Sequence, residues 1–328
     1  MSKIQNITIG IARVLNMYEN FPFWKALFET CGLKIKLSPE TTMSLYQRGV
    51  SSVMSDNICF PAKVVHGHIL ALIDAKVDRI FFPIVQKEEQ EFDLLSNSFN
   101  CPVISGYAEV IRSAINPEEN FGIPLDKPVI NFSNEKTLKN QCWYYVHQFG
   151  INKNIFNSAF KNAISSREQF LKNLIEPQKE VLKRALENNE LVFVVAGRPY
   201  HADPLIHQKI GQILSDLGVN ALTDDVFRQT EIKNEGTTFK DLNIVSQWSY
   251  PNRVIQAALE VARLPKNVQL IQLNSFGCGP DSFFMEETGA ILRQAGKNHT
   301  VLRIDEIASP GSIRLRLRSL IESLKANG

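Results

Sequence analysis

The chain lacks an apolar run near the roughly 18–20 residues that a membrane-spanning helix needs. It also lacks an excess of charge, since 36 Lys and Arg stand against 34 Asp and Glu. That balance removes the electrostatic basis for a general nucleic-acid binder. Cysteine is scarce: five, odd in number and widely spaced, they do not read as a secreted disulfide framework. With no C-x-x-C pair, the usual four-ligand structural zinc pattern is missing. With no P-loop and no G-x-G-x-x-G, no nucleotide cofactor is indicated. Met1-Ser2-Lys3-Ile4-Gln5-Asn6 leads into a strand-like segment and does not resemble a signal peptide. A soluble, cytoplasmic protein with no membrane and no nucleic-acid partner is expected.

A hydrophobic share of 44%, charged residues at 21% and a mean hydropathy of -0.12 describe a globular chain. At about 150 residues per domain, 328 residues suggest two domains. Short β-branched runs alternate with amphipathic stretches in the first part. Strands are expected at 7–11, 33–37, 79–85 and 129–132, and helices at 21–30 and 60–75. Residues 135–189 carry a helical rhythm with Pro177 as the only interior breaker. Alternation resumes with strands at 191–196, 219–223, 268–273 and 300–304, and helices at 205–217, 252–264, 283–294 and 312–324. The expected fold class is α/β: two open, mostly parallel Rossmann/flavodoxin-like sheets joined by a helical segment. The domains read as 1–134, a helical linker 135–190, and 191–328.

The cysteines divide into two groups. Cys31, near Trp24, Leu27 and Phe28, and Cys142, near Leu138, Tyr145 and Phe149, fall on apolar helix faces and read as core packing. Cys59 follows a strand candidate around Ser51–Met54 and precedes a helix with Pro61 in its first turn. Cys101 lies in the connection after the 79–85 strand. Cys278, flanked by Gly277 and Gly279, lies between the 268–273 strand and the next helix. Loops after strands are where open α/β sheets bind ligands, and helix N-termini favour negative charge. Three thiolates there suit a soft metal centre such as an iron–sulfur cluster. Two other readings stand: a zinc site with three protein ligands, and incidental loop cysteines.

Several blocks carry a family resemblance. Gly10-Ile11-Ala12-Arg13-Val14-Leu15-Asn16-Met17-Tyr18-Glu19-Asn20-Phe21-Pro22-Phe23-Trp24 and Cys59-Phe60-Pro61-Ala62-Lys63-Val64-Val65-His66-Gly67-His68 are two of them. Ala196-Gly197-Arg198-Pro199-Tyr200-His201, Asn274-Ser275-Phe276-Gly277-Cys278-Gly279-Pro280-Asp281 and the stretch from Ile304 to Ser319 are the others. They resemble the domain attached to acyl-CoA dehydratase activase-related proteins, within the 2-hydroxyacyl-CoA (2-hydroxyglutaryl-CoA) dehydratase superfamily. The resemblance implies a 4Fe–4S cluster held by three cysteines from three loops, which map onto Cys59, Cys101 and Cys278. It also implies an ATP-dependent activase protein or domain as partner, and a homodimer or pseudo-dimer.

Around these positions the readings stay paired. Lys63 and His66 either lend hydrogen bonds or positive charge to the cluster or are solvated, and His68 reads as packed. Arg198, Tyr200 and His201, after the 191–196 strand, are weak catalytic candidates or simply a tight turn. Asp305 and Glu306 read as acid/base groups or as loop acids, and Arg314 and Arg318, with Arg316 on another face, as a docking site for an acidic electron donor or a phosphate or as a solvated helix face. The expected function is an iron–sulfur redox protein, either catalyst or electron relay. The alternatives are a non-catalytic cluster-bearing assembly or regulatory module, a sulfur-handling or zinc enzyme using the same thiolates, and a metal-free α/β binding protein.

Overall fold

The computed structural model describes residues 7–91, 97–228, 247–307 and 309–326. Met1–Asn6, read as the lead into the first strand, lie outside these. The chain divides into two compact units, 1–172 and 173–328.

The first unit begins β1 (Thr8–Ile11), α1 (Met17–Thr30), β2 (Lys34–Leu37), α2 (Met43–Gly49), α3 (Phe60–Asp74), β3 (Arg79–Phe81) and β4 (Ile84–Lys87). It continues with α4 (Pro102–Ala114), α5 (Pro117–Phe121), β5 (Leu125–Asp126), β6 (Val129–Asn131), α6 (Glu135–Val146) and α7 (Lys153–Glu187), within which the unit boundary falls. β2, β1, β3 and β5 form a parallel sheet in that order. β4 and β6 pair separately as a two-stranded parallel ribbon.

Four local expectations change here. The strand at 79–85 is two strands in two sheets, because Pro83 between them has no N–H to give to a ladder. The 129–132 strand closes the ribbon, while β5 closes the main sheet. No strand precedes Cys59 directly: α2 and a 3-10 turn, Val50–Ser52, fill that stretch. Thr42 starts α2, its hydroxyl oxygen accepting the Leu45 N–H at 3.1 Å. Finally, the long helical stretch runs straight through Pro177 and breaks instead at Gly150, whose φ of 76° ends the turn after α6.

The first core is aromatic. Trp24 meets Phe23 and Phe81 edge-on at centroid distances of 5.0 and 4.7 Å, and Phe28 meets Phe81 at 5.0 Å. Each such ring contributes about 1.5–3 kcal/mol by burial. α6 and the start of α7 cover this core with Tyr145, Phe156 and Phe160. Cys31 and Cys142 lie inside it, as expected, and burial pushes the Cys31 thiol up to about 11. Burial, and next Cys31 itself, pushes the Cys142 thiol higher still.

The second unit comprises β7 (Val192–Ala196), α8 (Ile210–Asp216), β8 (Asn220–Thr223), α9 (Ser249–Arg263), β9 (Val268–Ser275), α10 (Gly279–Gln294), β10 (His299–Ile304) and α11 (Pro310–Ala326). Its parallel sheet runs β10-β9-β7-β8, and β9 is buried along its whole length. α8 is shorter than the 205–217 pattern suggests. Asp203 Oδ1 accepts the Leu205 and Ile206 N–H groups at 2.8 and 3.2 Å, and Gln208 and Lys209 take positive φ, so the first part is turn.

Numbered within its own unit, each main sheet has the strand order 2-1-3-4. Such sheets bind ligands beyond the carboxyl ends of the strands where the order reverses, between strands one and three. These points are β1/β3 and β7/β9. No helix among the described residues is long and apolar enough to cross a membrane.

Candidate functional site

Cys59, Cys101 and Cys278 share one local structure. Each is the N-cap of a helix (α3, α4 and α10), with extended backbone at ψ 146°, 159° and 105° and a proline in the first turn. None uses its sulfur to cap the helix. N-caps are ordinarily Ser, Thr, Asp or Asn, whose oxygens accept the orphan N–H groups. The cysteines are therefore not there for helix stability. A thiolate at such a position gains from the helix dipole. Cys59 is buried, while Cys101 and Cys278 are half-buried.

In the first unit α3 packs against α4. Ser52 gives its hydroxyl proton to Gly49 O at 2.8 Å, so its oxygen accepts from His66 Nδ1–H at 2.7 Å. His66 Nε2 then accepts the Tyr107 O–H at 3.0 Å. Burial pushes the His66 pKa down to about 4, so the ring is neutral and its tautomer is set. Tyr107 is held protonated by burial and, next, by negative charge on the neighbouring Cys59 sulfur. Both His66 ring nitrogens are thus engaged, and its bearing on Cys59 runs through Tyr107. Glycines let α2 lie close against α3 behind His66: a Cβ on Gly67 would collide with Leu45 O, and one on Gly49 with Gly67 N. Lys63 is buried. His68 is packed, as expected, between the Ser38 and Thr41 hydroxyls at 2.7 and 3.0 Å.

Beside Cys101 stands a group absent from the sequence reading. Glu88, fully buried, accepts from Asn16 Nδ2 at 2.9 Å, Asn20 Nδ2 at 3.1 Å and Asn100 Nδ2 at 2.7 Å. Asn100 also donates to Val85 O at 3.1 Å, so the residue preceding Cys101 is tied to both β4 and this carboxylate. The adjacency of Asn100 and Cys101 was the available signal. The partners lie 12 to 72 residues away from Glu88, beyond any local pattern.

In the second unit the β7/β9 point gathers Arg198, His201, Ser275, Cys278 and Asp281. The Arg198 guanidinium pairs with buried Asp281, and its Nη2 lies 3.6 Å from Cys278 Sγ. Asn274 Nδ2 supports Asp281 at 3.3 Å. The Arg198 backbone N–H donates to His201 Nδ1 at 2.9 Å, so the neutral ring carries its proton on Nε2, 3.3 Å from Ser275 Oγ. Burial, opposed by Asp281 and aided by Arg198, pushes His201 down to about 3. His201 is therefore neutral, with a single ring proton on Nε2, near neutral pH. Gly197 has no side chain because a Cβ there would collide with His201 Nδ1. Tyr200 is buried, its ring edge-on to His201 at 4.9 Å. A cavity of about 380 Å³ opens beside Cys278, lined also by Asn274, Ser275 and Arg303.

The remaining candidates lie apart from these groups. Asp305 is partly exposed and accepts the Ile307 N–H at 3.0 Å, and Glu306 is partly exposed. Arg314 pairs with Asp216 at 3.1 Å, and Arg316, on another side of α11, donates to Val301 O at 3.0 Å; both and Arg318 are exposed. Among the described residues, no group of three or more His, Cys, Asp or Glu side chains converges as a metal cluster.

Residues 8–227, about two thirds of the chain, match the family described as the CoA enzyme activase uncharacterised domain (DUF2229). The chain belongs to that family. No curated protein matches it. Among solved structures it is similar to the C-terminal domain of glucosamine-fructose-6-phosphate aminotransferase from Francisella tularensis, at 11% identity over 96% of this chain and 83% of that one, with a TM-score of 0.23. A protein from Salmonella typhimurium LT2 described as sugar-binding matches at 8% identity over 92% and 78%, with a TM-score of 0.21. Likenesses this weak transfer nothing to the present chain.

Proposed function

We propose that this protein is an iron–sulfur redox protein whose cluster, of the 4Fe–4S type, is held by the thiolates of Cys59, Cys101 and Cys278. It is related to the subunits of 2-hydroxyacyl-CoA dehydratases and works with an ATP-dependent activase in a reducing, cytoplasmic setting, as a homodimer or pseudo-dimer. The observation that carries the reading is the shared N-cap geometry of these three cysteines, against the sealed core positions of Cys31 and Cys142. The donor set fits a soft cluster, with sulfur ligands on helix N-termini that lower the cost of negative charge. The family description, a CoA enzyme activase domain, supports the activase partner.

A cluster with three protein thiolates supplies one-electron chemistry and an iron open to an exogenous oxygen ligand. The chain's own contribution is positioning. Glu88 and Asn100 hold the loop that ends in Cys101, and Arg198 sets positive charge beside Cys278. Tyr107, orienting its proton toward His66, lies beside Cys59.

Anaerobic reconstitution of the full chain with iron and sulfide tests this. Stoichiometric iron and acid-labile sulfide with visible charge-transfer absorption are expected, lost in Cys59→Ser, Cys101→Ser and Cys278→Ser and kept in Cys31→Ser. A protein that takes up no iron and sulfide, or that takes up zinc instead, overturns it.

A further inference from the structure

The equal strand orders extend to side chains. α3 and α9 both join the second strand of their sheet to the third, and α4 and α10 both join the third to the fourth. In each unit these two helices pack together. Cys101 and Cys278 are then equivalent, each the N-cap of the second helix with proline in its first turn. Arg13 and Arg198 are equivalent too, each two residues beyond the end of the first strand.

Aligned without a gap, the start of α3, Cys59-Phe60-Pro61-Ala62-Lys63-Val64-Val65-His66, matches Ser249-Tyr250-Pro251-Asn252-Arg253-Val254-Ile255-Gln256 at the start of α9. Aromatic falls on aromatic, proline on proline, cation on cation and β-branched on β-branched, and every one of these residues is buried in both units. A hydrogen bond present in the first unit and absent from the second fits the same register. Six residues after its N-cap cysteine, α4 has Tyr107, whose hydroxyl serves His66, while α10 has Phe284. Gln256 Oε1, standing for the His66 ring, is accordingly buried with no hydrogen-bond partner among the described residues.

We infer that the chain is an internal duplication in which Ser249, the first residue of α9 after its N-cap Trp248, corresponds to Cys59, the N-cap of α3. The first unit presents a thiol pair, Cys59 and Cys101, and the second a hydroxyl–thiol pair, Ser249 and Cys278. In parallel sheets the connecting helices start at the carboxyl ends of the strands, so both members of each pair lie at the ligand-binding end of their own sheet. Resting on the iron–sulfur reading, Ser249 is the position from which a fourth thiolate is missing. Its hydroxyl is the protein's hydrogen-bonding partner for the water or substrate oxygen that takes the cysteine's place.

The test uses the full chain as wild type, Ser249→Cys and Ser249→Ala. Apo protein is treated anaerobically with dibromobimane, which bridges neighbouring thiols, and the bridges are mapped by peptide mass spectrometry. Wild type is expected to bridge Cys59 to Cys101 and to label Cys278 singly. Ser249→Cys is expected to add a bridge between the introduced thiol and Cys278, with the Cys59–Cys101 bridge in the same sample reporting an intact fold. Absence of either bridge overturns the duplication. In a second arm, reconstituted Ser249→Cys is expected to lose iron to a chelator several-fold more slowly than wild type, and Ser249→Ala no more slowly. Equal rates for the cysteine variant overturn the ligand-position role. If wild type binds no iron, the cluster reading fails while the bridging result still decides the duplication.

Discussion

Arg198 Nη2 lies 3.6 Å from Cys278 Sγ while the same guanidinium is paired with Asp281, three residues beyond the cysteine. One buried cation thus serves a carboxylate and a sulfur together. In Arg198→Gln the sulfur loses the positive charge beside it, and Asp281 keeps the Asn274 amide but loses its guanidinium partner. Alkylation of Cys278 by iodoacetamide is expected to slow several-fold at neutral pH, with Cys101 unaffected. The uncompensated buried carboxylate is expected to cost about 3–5 kcal/mol of stability. An unchanged alkylation rate would mean that the sulfur does not sense the guanidinium.

Tyr107→Phe removes the hydroxyl that His66 Nε2 accepts from and leaves that nitrogen buried without a donor. The expected loss is about 1–3 kcal/mol in urea denaturation. Nitrogen-resolved NMR of the His66 ring checks the same bond, wild type showing the neutral Nδ1–H tautomer. A protonated ring at neutral pH would contradict the donor assignment.

His66 and His68 are pushed by burial from 6.5 to about 4, and His201 to about 3. Their folded pKa values lie below the unfolded one, so their contribution is fully present above about pH 6.5. As the pH falls from 6.5 toward 4 the unfolded chain binds protons that the folded chain refuses. Each ring then removes about 1.4 kcal/mol of stability per pH unit. Two of the three rings lie in the first unit, which is expected to unfold first on acidification, followed by Trp24 fluorescence. Stability that is flat across this window would show that the rings are not neutral.

Gly67→Ala places a methyl against Leu45 O, backbone that cannot yield, and is expected to destabilise by on the order of 3 kcal/mol. Gly106→Ala, in α4 with no atom near the new methyl, is expected to stabilise by up to about 1 kcal/mol. Thermal melts of the two variants should move in opposite directions. A tolerated Gly67→Ala would mean that α2 and α3 can separate without loss of the fold.

Much of this molecule was readable in one dimension. The 3.6-residue and two-residue rhythms placed most strands and helices, and Cys59 with Pro61 marked the start of α3; α4 was not expected, and α10 begins four residues before the expected 283. Misreadings came where a local signal met a partner it could not see. Pro83 divided one apolar run between two sheets, and Pro177 was carried through by the long helix around it. Lys63 and His66 lie on a helix whose opposite face is also covered, so periodicity offered buried and solvated readings alike.

By itself, the sequence determined the alternation of strand and helix, the core character of Cys31 and Cys142, and the loop setting of the other three cysteines. Those depend on backbone geometry, spacing and side-chain polarity within a few residues. Tertiary structure alone decided the strand order shared by the two sheets, the Glu88–asparagine cage and the Arg198–Asp281 pair, whose members are 83 residues apart. Such contacts exist only once loop closure has been met by burial elsewhere in the chain, and no local pattern encodes them.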